Sequence, residues 1–264
     1  MSVKIYVIQK NSLIMSILLF IFVFSLIAFN WDNTRSTISV LSQKKDLPIY
    51  CVDRQDKTIS ISFDAAWGNE DTQQLIDILN KYNVKTTFFV VGGWVDKYPE
   101  SVKALHDAGH EIMNHSNTHP HMTQLSVEKM KEEISKCDEK IKAITGVKPF
   151  LFRPPYGDYN DKVVKTCREM GYYTIQWDVD SLDWKELGPE SIIERVTKRI
   201  KPGSIVLFHN AAKDTPAALP VILERLQKEG YNIVPISQLI YKENFYVDHT
   251  GKQILDSKEI TTLD

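Results

Sequence analysis

Between residues 58 and 240 the apolar positions follow two rhythms in turn. Short runs of β-branched and aromatic residues over 58–63, 86–91, 110–114, 150–152, 172–177, 204–208 and 231–234 read as strands. Between them, over 71–82, 99–108, 126–144, 161–170, 189–200 and 216–229, apolar residues recur three and four apart, the spacing of an amphipathic helix. The punctuation agrees: Ser126 stands where a helix N-cap is wanted, and Gly109, Gly146 and Gly171 close three of the helical stretches. Alternation of this kind implies a parallel sheet covered by helices. About seven such units, with no glycine-rich phosphate loop after the first strand, predict an α/β protein whose sheet closes into a distorted (β/α) barrel rather than an open doubly wound sheet.

A third pattern precedes these two. From Leu13 to Phe29 the only polar residues are Ser16 and Ser25, with Lys4 and Lys10 ahead of the run and no polar face within it. At about 17 residues it is near the lower limit for a helix that crosses a bilayer. Ile27, Ala28, Phe29 and Asn30 offer no small-x-small cleavage pattern, which favours an uncleaved anchor over a removed signal peptide. In either case the remainder is expected outside the cytoplasm, anchored to the membrane or secreted. The expected organisation is an anchor or signal segment over 1–30, a polar linker over 31–56, a single domain over 57–243 and a polar C-terminal tail over 244–264.

Composition narrows the classes. The chain has 264 residues, 43% of them apolar, enough for one barrel with its own core and no second subunit, so a monomer is expected. Lys and Arg total 32 against 34 Asp and Glu, and no block of like charge interrupts the balance, so the footprint of a nucleic-acid binder is missing. Cys51, Cys137 and Cys167 make an odd set without C-x-x-C spacing, which implies neither a disulfide framework nor a cysteine metal site.

Polar residues stand directly after the predicted strands. Asp64 follows the first, His115 and His119 the third, Arg153 the fourth, Asp180 and Asp183 the fifth and His209 the sixth. In a parallel barrel these ends open on one rim, where active sites are built. Each residue alone has a plainer reading: Asp64 and one of Asp180 and Asp183 as caps of a turn, Arg153 as the partner of a surface carboxylate. His115 and His119, four apart, would share one face if helical and suit a common metal ion, although His106, His110 and His121 crowd the same stretch. His106 reads as a helix-surface residue and His110 as a structural one at a strand start. The Pro154-Pro155-Tyr156-Gly157 stretch after Arg153 reads as a stiffened tight turn.

In order and spacing, Ser62-Phe63-Asp64, His115-Ser116-Asn117-Thr118-His119, Arg153-Pro154-Pro155-Tyr156-Gly157, Asp180-Ser181-Leu182-Asp183-Trp184 and Leu207-Phe208-His209 resemble the five motifs of the polysaccharide deacetylases of carbohydrate esterase family 4, the NodB-homology domain. The stretch Phe63-Asp64-Ala65-Ala66-Trp67-Gly68, with the N-terminal run, looks most like the family's sporulation-associated subgroup. The resemblance implies a metal-assisted hydrolase that removes N-acetyl groups from a cell-wall or spore-wall glycan. By the same resemblance Asp64 is the general base, His209 the general acid, Asp183 the anion behind His209 and Arg153 the group that orients Asp64. His115 and His119 hold a divalent metal, usually zinc, Tyr156 offers a backbone oxyanion donor, and Trp184 with Leu207 lines the acetyl pocket.

The chain departs from the family at one position. A second, metal-binding aspartate follows the base in the family pattern, but here the position is Ala65. The metal site is therefore expected to be weakened, with Asp64, a water, or one of Asn69, Glu70 and Asp71 as alternatives for the missing ligand. That departure sets a glycan-binding pseudo-deacetylase beside the active enzyme. A metal-independent amidohydrolase of a small nitrogen compound is a further alternative, which the expected membrane tether disfavours.

Overall fold

The computed structural model describes residues 15, 17–22, 24–25 and 45–256. The chain divides into two units, residues 1–45 and 46–264. In the first, the described positions between 15 and 25 are helical, with Ser25 Oγ donating back to the Ile21 carbonyl at 2.6 Å. Among the described residues no helix is long and apolar enough to cross a membrane. The expected transmembrane anchor is thus not seen, and the remainder of its run and most of the linker lie outside the described residues.

The second unit carries β1 (Cys51–Val52), β2 (Thr58–Ala65), α1 (Thr72–Lys81), β3 (Thr87–Val90), α2 (Gly92–Lys97), α3 (Pro99–Asp107), β4 (Glu111–Asn114), α4 (Val127–Thr145), β5 (Leu151–Phe152), α5 (Asp161–Glu169), β6 (Tyr173–Thr174), β7 (Val179–Asp180), α6 (Pro189–Arg199), β8 (Ile205–His209), α7 (Thr215–Lys228), β9 (Asn232–Ile233), α8 (Ile236–Leu239), β10 (Phe245–Val247) and β11 (Lys252–Leu255). Seven strands pair in parallel in the order β6-β5-β4-β3-β2-β8-β7, and β9 joins the start of β2. This curled parallel sheet is a half-barrel, in keeping with the distorted barrel expected from the alternation. The chain around β1 links its two sides: Ile49 donates to the carbonyl of Thr174 in β6 at 2.8 Å, and Val52 to the Gly203 carbonyl ahead of β8 at 2.9 Å.

Strand β2 shows why the barrel forms around it. Ile59, Ile61, Phe63 and Ala65 point to one side and pack with Leu75 and Leu79 of α1 and Leu219 and Leu223 of α7. Phe63 stacks between Phe88 and Phe208, with ring centroids at 4.8 and 5.6 Å. Each such buried side chain contributes about 1.5–3 kcal/mol. The alternate residues are polar and face the barrel interior, and each finds a partner: Ser60 donates to the Val234 carbonyl at 2.7 Å and Ser62 to the Val206 carbonyl at 2.8 Å. Phe89, Met113, Leu151, Ile175 and Ile205 fill the barrel, with Ile236 and Leu239 of α8 packed on them. Helix α4 begins as expected, with Ser126 Oγ accepting from the Lys129 N–H, and ends at Gly146 with φ 73°.

The polar segment after 243 is not simply a tail. β10 and β11 form an antiparallel hairpin, and β11 pairs in parallel with β1. Gln253, wholly buried, accepts from the Tyr241 N–H at 2.9 Å and donates to the Tyr241 carbonyl at 2.7 Å. Backbone pairing and a satisfied amide hold this hairpin, with Val247 against the core and Phe245 against the Tyr173 ring, too few apolar positions for a hydrophobic pattern to reveal it. Cys51, Cys137 and Cys167 are buried and free.

Candidate active site

The register of two central strands fixes the heart of the site. Asp64 of β2 stands opposite His209 of β8, at the C-terminal ends of parallel strands. Arg153, immediately after β5, reaches Asp64 from the far side. Its Nη1 donates to Asp64 Oδ1 at 2.7 Å, and its Nη2 to Ser62 Oγ at 2.9 Å and the Gln176 carbonyl at 3.3 Å. The guanidinium is fully buried, 4.1 Å from the centroid of the Phe89 ring. A buried cation is tolerable only when paired and hydrogen-bonded, and Asp64 supplies the countercharge. Burial by itself would raise the Asp64 pKa, but the charge of Arg153, with that of His209, outweighs it and holds the carboxyl below its usual range.

His209 is held from behind in the same manner. Its Nδ1 lies 2.8 Å from Asp183 Oδ1, and its own N–H donates to Asp183 Oδ2 at 2.8 Å. Asp183 is completely buried and also accepts from Trp184 N–H at 2.9 Å and Thr215 Oγ1 at 2.8 Å. Burial alone would lower the imidazolium pKa. The hydrogen bond and charge of Asp183, joined by Asp64 and Asp180, reverse that, so His209 is raised. With Nδ1–H committed to Asp183, it is Nε2 that gains and loses the ring's second proton on the side of the cleft.

His115 and His119 are brought together by a loop, not by the helical turn their spacing suggested. Ser116 and His119 take left-handed backbone angles, φ 67° and 61°, unfavourable for residues with a Cβ and sustained here by local bonds. Glu133 of α4 accepts from the N–H groups of Asn117 and Thr118 at 2.9 and 2.8 Å and from Thr118 Oγ1 at 2.9 Å. Asn114 accepts from the Ser116 N–H at 2.8 Å, and Ser116 Oγ from the His119 N–H at 3.0 Å. The two imidazole centroids lie 5.0 Å apart. His115 donates Nδ1–H to the Arg153 carbonyl at 2.7 Å, which leaves Nε2 3.5 Å from Asp64 Oδ2. Burial lowers both pKa values, that of His119 to about 4, so both rings are neutral at pH 7.

Neutral imidazoles beside a carboxylate invite a metal, but the donor set falls short. Among the described residues no group of three or more His, Cys, Asp or Glu side chains is arranged to hold one. Asp64 Oδ1 is taken by Arg153, and the next residue, Ala65, contributes a methyl to the helix-facing core. The loop does not fill the gap: Asn69 donates to Ser101 Oγ at 3.0 Å, Asp71 accepts from the Ala211 N–H at 2.9 Å, and Glu70 lines a separate depression. Catalytic zinc is held by three protein ligands with a fourth position open. Two imidazoles and a carboxylate already engaged do not meet that requirement.

Asp64, His115, His119, Tyr156, Trp184, Leu207 and His209 line one cleft of about 400 Å³, together with Ala66, Trp67, Trp177 and Asp180. Arg153 and Asp183 stand behind it, each bonded to a residue that faces it. Tyr156, at φ 59°, is exposed at the rim, and His121 stacks on its ring at 4.4 Å. Asp180 accepts from the Leu182 N–H at 2.9 Å and so also caps its loop. His110 accepts from the Thr86 N–H at 3.3 Å inside the core, away from the cleft. Sequence reasoning quoted Ser62 within a motif without a role and missed Gln176, Thr215 and Glu133; all four act only through the residues they hold. Trp67 and Trp177 stood in no predicted site role, although Trp67 lies within a quoted motif.

A parallel half-barrel with a guanidinium-backed carboxylate and a carboxylate-backed imidazole at one rim defines a hydrolase of the acid–base type. The polysaccharide deacetylase family profile matches residues 52–175. The chain is 33% identical over 228 residues to the peptidoglycan-N-acetylmuramic acid deacetylase PdaA of Bacillus subtilis, covering 81% of this chain and 86% of that protein. It is 41% identical over 195 residues to a peptidoglycan-N-acetylglucosamine deacetylase of Bacillus cereus, covering 72% and 91%. The solved structure of a family 4 pseudoenzyme from Bacillus anthracis superposes with a TM-score of 0.71 at 37% identity, covering 75% of this chain and 70% of that one. A mutant of that pseudoenzyme is described as having restored enzymatic activity. The chain belongs to the polysaccharide deacetylase family, carbohydrate esterase family 4, which holds hydrolases of N-acetyl amide bonds and also that pseudoenzyme.

Proposed function

We propose that this chain removes acetyl groups from the N-acetylated amino sugars of a peptidoglycan-type glycan outside the cytoplasm, with Asp64 as base and His209 as acid. The observation that carries the reading is the in-register pairing of Asp64 with His209 across one cleft, each fixed from behind by an opposite charge. The Asp64 oxygen not bonded to Arg153 accepts a proton from water as the water oxygen attacks the acetamide carbon. The C–N bond then breaks as His209 Nε2–H protonates the departing nitrogen, giving acetate and a free amine. Ionised Asp64 and protonated His209 coexist near neutral pH because their pKa values are driven apart. Trp184, Leu207 and Tyr156 would enclose the acetyl group, a small space that selects against longer acyl chains.

The run over 13–29, with lysines ahead of it, supports delivery across the membrane, and the Phe63 to Gly68 stretch supports the sporulation-associated subgroup. His115 and His119 are one donor short of a three-ligand site, so weak binding of a divalent ion is expected. The test is incubation of the full-length chain with chito-oligosaccharides and with peptidoglycan. Acetate and free amine are expected in equal amounts, and their absence from every substrate, with or without added divalent metal, would sink the reading.

Ala65 and the pseudoenzyme neighbours favour a second reading, a glycan-binding protein that has lost turnover. Ala65→Asp separates the two. Weak native activity that rises several-fold with tighter zinc binding supports a functioning but impaired enzyme; no native acetate, with turnover appearing only in the variant, supports the pseudoenzyme.

A further inference from the structure

Asp71 stands at the N-cap of α1, where a carboxylate ordinarily accepts from the first free N–H groups of its own helix. Here it makes no such bond. Its Oδ2 reaches instead to the turn after β8 and accepts from the Ala211 N–H at 2.9 Å. Ala211 has φ 54°, the left-handed region that is costly for a residue with a Cβ. Asn210, one residue earlier, is tied at two points: its N–H donates to the Asp64 carbonyl at 3.1 Å and its Nδ2 to the Gly68 carbonyl. The Gly68 carbonyl also accepts from the buried Trp94 Nε1 at 2.8 Å, which pins that loop from its far side. The segment that follows the Asp64 strand and the segment that follows the His209 strand are thereby fastened to each other.

Stability alone would not choose this arrangement. Asp71 and Asn210 are both buried, burial pushes the Asp71 carboxyl above its usual range, and the cap that Asp71 could give α1 is forgone. What the two residues secure is the backbone on which His209 stands. Its ring must meet Asp183 Oδ1 at 2.8 Å on one side and face the cleft, opposite Asp64, on the other. A slack turn directly after the strand would let that geometry drift, and small misplacements of a reacting group are expensive in rate. We propose that Asp71 and Asn210 are positioning residues for the general acid: by keeping Ala211 left-handed and the turn fastened to the 68–71 loop, they fix the His209 ring between Asp183 and the cleft. The inference rests on the reading of His209 as the acid and deepens it.

Acetate release by the full-length chain, with kcat and KM read separately, tests this. Asp71→Ala is expected to lower kcat roughly ten- to hundredfold with KM held within about twofold. Asp71→Asn keeps an acceptor for the Ala211 N–H and should retain most of the rate. Ala211→Gly takes the left-handed turn without strain and should restore most of the rate to Asp71→Ala. Asn210→Ala loosens the same turn at its other tie; it is expected to act as Asp71→Ala does and serves in its place if that variant does not fold. A second readout needs no turnover: the Nδ1 proton that His209 donates to Asp183 gives a far-downfield proton resonance, assigned by its absence from His209→Ala. It should broaden or vanish in Asp71→Ala and return when Ala211→Gly is added. A wild-type kcat with an unchanged resonance in both Asp71→Ala and Asn210→Ala, or a loss that Ala211→Gly does not recover, would overturn the proposal. If the wild-type chain releases no acetate, the hydrolase reading fails and the resonance alone decides the clamp: lost in Asp71→Ala it stands, unchanged it falls.

Discussion

His209 is burdened by burial and rescued chiefly by Asp183, with Asp64 and Asp180 adding to it, which makes Asp183 the residue whose loss is most informative. Asp183→Asn keeps the shape and removes the charge, so His209 should lose its proton at a lower pH. The alkaline limb of the pH dependence of kcat/KM is expected to move toward acid while the acid limb, set by Asp64, stays in place. Stability follows the same sign. A histidine raised above its unfolded value, about 6.5, contributes stability that is complete below that pH and fades as pH rises through the folded value. Thermal melts should therefore show a larger deficit for Asp183→Asn at pH 6 than at pH 9. A pH–rate profile that superimposes on the wild type would remove His209 from the role of acid. Arg153 invites a different measurement. Arg153→Met leaves Asp64 buried without its countercharge, an arrangement that costs about 3–5 kcal/mol. Urea unfolding should report a loss of that order, relieved at low pH where Asp64 is protonated.

At the scale of elements, helix α4 does more than cover the sheet. Through Glu133 it grips the loop bearing His115 and His119, replacing the helical turn that would otherwise be needed to bring two histidines four apart into contact. Glu133→Ala frees two backbone N–H groups and a hydroxyl at a partly exposed site, so a stability loss of about 1–2 kcal/mol is expected from denaturant curves. Hydrogen exchange should quicken at Asn117 and Thr118 and stay slow in β2; unchanged exchange in the loop would count against the clamp. The long, strongly periodic elements were legible before any coordinates: β2, α4 and α7 fall within a residue or two of where the apolar spacing put them. Of the short elements, β4, β5, β6 and β9 lie inside runs the sequence marked as strands, but others were not foreseen. α2 opens on two glycines, β7 is two residues long, and the β10–β11 hairpin is carried by backbone pairing, a buried glutamine and only two partly buried apolar residues, features that leave little trace in a hydrophobic pattern.

For the whole molecule, β1 and the C-terminal hairpin tie residues 51–52 to 245–255 and enclose Gln253. A chain ending at residue 243 would strip β1 of its partner and expose the Tyr241 backbone, and is expected to melt several degrees lower by circular dichroism. An unchanged melt would show the hairpin to be dispensable. The candidate site was legible in the sequence as far as residue type and strand-end position go, because a parallel barrel turns those positions toward one rim. What stands behind the rim was not: nothing in the chain announces that Ser62, Gln176 and Thr215 hold Arg153 and Asp183, since their task is set by distances that only folding creates. The central claim is that Asp64 and His209 perform the hydrolysis between them. Its most direct test is acetate release from peptidoglycan by the wild-type chain, Asp64→Asn and His209→Ala, with glycan binding measured in parallel. Each substitution is predicted to lower turnover by roughly 10²–10⁴-fold with affinity retained, whereas either variant releasing acetate at the wild-type rate would contradict the account.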